Sequence, residues 1–159
     1  MTIKNAPSSS GFTLVELVMV IILIGVLSVL GIGLFAGRSA FSPLLATQQL
    51  ASATLLVQQA ALAGNPSNTL TISQTGDRLV FDAGINQFEI TREGATLSYR
   101  LAGGSYTNVP ASGFNVTFSP MGRVSGPVAR ESIDFRLSGE SQFDLCLSSL
   151  GAVYTGTCQ

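Results

Sequence analysis

The stretch SSSGFTLVELVMVIILIGVLSVLG, Ser8–Gly31, decides how this chain is read. It is apolar almost throughout, yet Glu16 stands near its start. From Leu17 to Gly37 there is no charged residue. As a helix rising 1.5 Å per residue, a run of roughly 20 apolar residues spans a bilayer. A carboxylate at the rim of such a span is costly unless a positive group meets it. Three arrangements compete. A cleaved secretory signal has an apolar region of about 7–15 residues followed by small residues at the cut. Here the run is longer, a carboxylate sits inside it, and the small residue Gly11 precedes it. A plain single-pass anchor accounts for the length and leaves Glu16 unexplained. An assembly helix accounts for both, with Glu16 meeting a positive group inside a bundle. The bland alternative leaves Glu16 solvated and idle in the headgroup layer. Lys4 supplies a thin positive flank, which orients the span with its N-terminus in the cytoplasm.

Outward from this segment, the chain of 159 residues leaves room for one modest folded domain. Its net charge of -1 offers no basic field for nucleic acid or anionic lipid. There is no histidine, which removes the commonest metal ligand and general base. From about Phe41 to Ala63, Leu50, Ala53, Val57, Ala60 and Ala61 recur at helical spacing between glutamines and serines. That pattern predicts an amphipathic helix, stopped by GNPSN at Gly64–Asn68. The simplest reading is one long helix of roughly 50 residues, about 75 Å. Gly25, Gly31, Gly33, Gly37 and Pro43 are its weak points, and a bend or unwound segment is expected between Gly25 and Pro43.

After Asn68 the period becomes two. Leu70 and Ile72, Leu79 and Phe81, and Phe88 and Ile90 alternate with polar residues. The runs Leu97–Leu101, Phe114–Phe118, Ile133–Leu137 and Phe143–Leu147 do the same, each bounded by turn-forming residues. They read as an antiparallel sheet with one face covered, and the amphipathic helix is the cover.

In the last run Phe143, Leu145 and Leu147 share a face, which turns Cys146 to the other side with Asp144. A disulfide to Cys158 would pin the tail to the outer side of the sheet. Closing so short a loop contributes about 3 kcal/mol in the chain-entropy model. Two free thiols are the alternative. A metal site falls short of a zinc ligand set, so no metal and no cofactor is expected.

GFTLVELVMVIILIGVLSVLG, beginning at Gly11, resembles the N-terminus of type IV pilins and of type II secretion pseudopilins. The resemblance implies a prepilin peptidase cut between Gly11 and Phe12, N-methylation of Phe12, and a docking role for Glu16. It implies a pilin-like α+β fold, with a long N-terminal helix packed on a C-terminal antiparallel β-sheet domain. The parts would be a leader at 1–11, a transmembrane and assembly helix at 12–37, and an amphipathic helix at 38–63. A β-rich domain with a C-terminal disulfide loop would occupy 68–159. The implied partners are the prepilin peptidase, major and other minor pilins or pseudopilins, the inner-membrane assembly platform, and the membrane before assembly. The implied location is a single inner-membrane span with a periplasmic domain, then the pilus or pseudopilus. The physics agrees. The cut would free a positive amine on Phe12, at i and i+4 from Glu16 and available to a neighbour's Glu16. Gly25–Gly33 resembles the family segment that loses helicity in filaments.

LLVQQAALAG and VTFSPMGRVSG, together with the C-terminal CLSSLGAVYTGTC, are similar to minor pilins of one group. It includes the type II secretion H pseudopilin, fimbrial T proteins and the C subunit of mannose-sensitive haemagglutinin (MSHA) pili. The first reading is a minor pilin of an MSHA-type pilus with a role in pilus biogenesis and surface attachment, and the second a type II secretion pseudopilin. Arg123, Arg130 and Arg136 are scattered, so DNA uptake is not expected. No P-loop, GxSxG or metal cluster points to an enzyme. Asp77, Asp82 and Glu89 read as turns or solvated faces, and Ala102–Gly113, with Tyr106, as a polar loop that could touch a surface.

Overall fold

The structure is a computed structural model that describes residues 12–35, 38–84 and 86–159, with backbone alone at 30–35 and 38–42. It divides into two units, Met1–Gly37 and Arg38–Gln159.

The first unit holds helix α1, Leu14–Phe35. Its sequence is apolar on every side, and every described side chain on it is exposed in the single chain. The helix runs unbroken through Gly25, Gly31 and Gly33. Within Leu14–Phe35 no segment is unwound, since local i to i−4 hydrogen bonding outweighs about 1 kcal/mol per glycine; the interval expected to bend or unwind also takes in Ala36 and Gly37, which lie outside the described residues. Among the described residues no helix is long and apolar enough to cross a membrane.

The second unit opens with α2, Arg38–Leu62, which passes through Pro43 without breaking. A proline inside a helix costs about 3 kcal/mol. Burial of one face offsets that cost: Ala46, Leu50, Ala53 and Val57 are fully buried, and Ala61 nearly so. The expected single long helix depends on Ala36 and Gly37, which lie outside the described residues. The end of α2 is a Schellman motif. Gly64 adopts φ +73°. Its N–H donates to the Ala61 carbonyl, and that of Asn65 donates to Ala60.

The strands form two sheets rather than the one expected. In the first, β3 (Gln87–Thr91), β2 (Arg78–Asp82), β1 (Thr69–Gln74), β6 (Phe114–Phe118) and β7 (Val124–Ser125) lie side by side. In the second the order is β10 (Val153–Thr155), β9 (Gln142–Leu147), β8 (Ile133–Ser138), β4 (Thr96–Leu101) and β5 (Thr107–Asn108). A 3-10 turn, Gly126–Val128, follows β7. Every pairing is antiparallel. Alternation shows which side chains face inward and not which strands are neighbours, so it could not separate one sheet from two. Both sheets share one core with α2. Leu70, Ile72, Leu79 and Phe81 come from the first, and Leu97, Ile133, Phe135 and Leu145 from the second. Phe114 joins the sheets, stacked on Tyr99 at 4.0 Å and edge-on to Phe135 at 6.3 Å.

Gln58 fastens the helix to two turns. Its amide donates to the carbonyls of Gly122 (2.8 Å) and Gly151 (3.0 Å). Gly151 has φ +92°, and a Cβ there would lie 2.0 Å from the Gly122 carbonyl oxygen, so only glycine fits.

Candidate assembly site and the outer face of the second sheet

Gly11 lies outside the described residues. Phe12 is 81% exposed and stands ahead of the first helical residue, Leu14. Glu16 partners Thr13. The Thr13 N–H and hydroxyl both donate to Glu16 Oε2, at 3.3 and 3.2 Å. In return the Glu16 N–H donates to Thr13 Oγ1 at 3.3 Å. The Leu17 N–H donates to the Thr13 carbonyl. Thr13 is thus the N-cap and Glu16 the third helical residue of a capping box. The carboxylate also lies at the positive end of the helix dipole.

This arrangement gives Glu16 work to do within its own chain and holds it at the entrance of α1. The sequence reading missed Thr13. The signal is local: T-x-x-E ahead of an apolar run.

The outer face of the second sheet carries the other candidate residues. Cys146 and Cys158 are bonded, with Cα atoms 5.1 Å apart. Cys146 is fully buried. The tail explains this, since the Gly156 N–H donates to the Asp144 carbonyl and brings the chain back over β9 and β8. Asp134, Cys146 and Cys158 have potential ligand atoms within 4.8 Å of one another. The bridge consumes both sulfurs, so neither is a thiolate that could hold a metal.

Asp134 is 5% exposed. Its Oδ2 accepts Arg100 Nε at 2.9 Å, and its Oδ1 accepts the Cys158 N–H. One pair along the sheet, Arg136 Nε meets Asp144 Oδ1 at 2.8 Å. That hydrogen bond raises the Arg136 guanidinium further above its ordinary value. Tyr106 lies over both cations, 3.9 Å from Arg136 and 4.8 Å from Arg100. Its burial pushes the phenol above its usual 10.0. The one aromatic of the Ala102–Gly113 loop is therefore folded onto the sheet rather than held out toward a partner. Val109, from the same loop, is also buried.

The three acidic residues read as turns or faces have local partners. Asp82 Oδ1 accepts the Gly84 N–H at 2.8 Å. Arg78 meets Glu89 at 2.6 Å and Asp77 at 3.6 Å, all exposed.

Residues 7–32 match a family model described as the prokaryotic N-terminal methylation motif. No curated protein and no solved structure matches the chain. The matched interval contains Gly11, Phe12, the Thr13–Glu16 box and most of α1. At residues 7–32, then, this chain carries the N-terminal signal of type IV pilins and pseudopilins.

Proposed function

We propose that this chain is a structural subunit of a type IV filament. A prepilin peptidase cuts between Gly11 and Phe12, and Phe12 is then N-methylated. Before assembly, α1 and the residues after it anchor the chain once in the inner membrane, with the β-rich domain in the periplasm. After assembly, α1 lies in the filament core among major and other minor pilins. The observation that carries this reading is the match over residues 7–32, on a helix whose described side chains are all exposed. A helix apolar all round is a buried element, and no described residue of the first unit buries it.

Glu16 is the docking group of this reading. The capping box orients the carboxylate, and the amine of a neighbouring Phe12 pairs with it where water is scarce. The branch is an MSHA-type minor pilin with a role in biogenesis and surface attachment. The segments VTFSPMGRVSG and CLSSLGAVYTGTC support it by resemblance.

A Glu16→Ala chain is expected to be inserted and cleaved normally, and to enter filaments poorly. Immunoblots of sheared filaments against membrane fractions measure this. Incorporation at the unmodified level would show that the carboxylate does not dock.

A further inference from the structure

We propose that Asp134 is a positioning residue for the Cys146–Cys158 bridge: its carboxylate binds the C-terminal tail before the sulfurs join, and so holds Cys158 beside Cys146. The cross-strand register sets this up. Asp134 on β8 pairs directly with Cys146 on β9 and with Arg100 on β4. Directly paired residues point to the same face, with Cβ atoms about 5 Å apart. An N–H bound to the Asp134 carboxylate is therefore next to the Cys146 side chain. The residue whose N–H occupies that position is Cys158.

The chemistry of the site argues that the carboxylate is there for the tail. A buried charge is destabilising unless it is paired and hydrogen-bonded. Covering a disulfide requires no charge, and an apolar residue of similar size would pack there at lower cost. Asp134 has its compensating cation in Arg100 and gives its other oxygen to a backbone N–H of the tail. A charge-assisted hydrogen bond of this kind is among the stronger local contacts a short tail can make. With the Gly156 N–H on the Asp144 carbonyl, the tail has two anchor points flanking the final approach of Cys158.

The bond-forming step is ordinary thiol–disulfide exchange. The two thiols give up two protons and two electrons, and one S–S bond forms. A disulfide oxidant of the glutathione type breaks its own S–S bond and leaves as two thiols. Asp134 takes no part in the electron transfer. It raises the effective concentration of one thiol at the other. This inference does not depend on the filament reading, since it concerns only the second unit.

Two measurements on the full chain in detergent micelles test it. In a chain carrying Cys146→Ser and Cys158→Ser, the amide at position 158 is expected to exchange with solvent at least tenfold more slowly than in an unstructured peptide. Exchange at the unstructured rate would show that the tail does not dock without the bridge. The second measurement is the equilibrium of the native cysteines with reduced and oxidised glutathione. Asp134→Asn retains an acceptor oxygen and is expected to stay within a few-fold of the parent. Asp134→Leu combined with Arg100→Leu removes the acceptor without stranding a charge, and is expected to favour the dithiol by roughly tenfold to a hundredfold. An unchanged equilibrium in that folded double variant would overturn the proposal. Should the double variant fail to fold, the exchange rate at position 158 decides alone.

Discussion

Helices α1 and α2 are close in length, 22 and 25 residues, yet they are stabilised in opposite ways. On α2 the apolar residues recur every three or four positions and lie against both sheets, while Gln48, Ser52 and Gln59 remain at the polar face. On α1 leucine, isoleucine and valine occupy all sides, and every described one of them is exposed. Helix α2 is held by tertiary burial strong enough to carry Pro43 within it. Helix α1, taken alone, is held by its backbone ladder and the cap at Thr13–Glu16. The difference shows how one sequence encodes two kinds of packing: α2 finds its partners in its own domain, and in the proposed filament α1 finds its partners in lipid and then in other subunits.

The contrast can be broken by equal truncations in the two regions. Phe81→Ala removes a fully buried ring beneath α2 and is expected to cost the domain about 3–5 kcal/mol. Ile21→Ala removes an exposed side chain of α1 and is expected to leave domain unfolding unchanged within about 0.5 kcal/mol. Denaturant titrations followed by circular dichroism in micelles measure both, and equal effects would erase the distinction. A smaller change comes from the tail. Cys158→Ser is expected to lower domain stability by about 3 kcal/mol under oxidising conditions. An unchanged melting temperature would show that the bridge contributes nothing. The smallest effect falls at the cap of α1. Thr13→Ala is expected to cost about 1 kcal/mol, seen as faster amide exchange at Glu16, and Thr13→Ser is expected to restore it. Unaltered exchange in Thr13→Ala would mean that the capping box does not hold this helix end.

Much of this was legible because it depends on short-range pattern. The change of period at Asn68 separates helix from strand, and GNPSN marks the stop that Gly64 and Asn65 make. The alternation of Phe143, Leu145 and Leu147 turns Cys146 to the opposite face of β9. What the sequence concealed depends on residues far apart. Sheet membership is set by which strands pair, so β6 beside β1 and β8 beside β4 could not be read from periodicity. The placement of Tyr106 needed two arginines from different strands. Pro43 misled for a related reason, because its local cost is offset by contacts elsewhere in the domain. Thr13 is the exception: its signal was local and was overlooked.

The central claim is that the chain is processed at Gly11–Phe12 to make a filament subunit. Intact-mass and N-terminal peptide mass spectrometry of the chain recovered from membranes and from sheared filaments tests it most directly. The account predicts a mature chain that begins at a singly methylated Phe12 in both fractions. A chain that still begins at Met1, or one cut beyond Gly37, would contradict it.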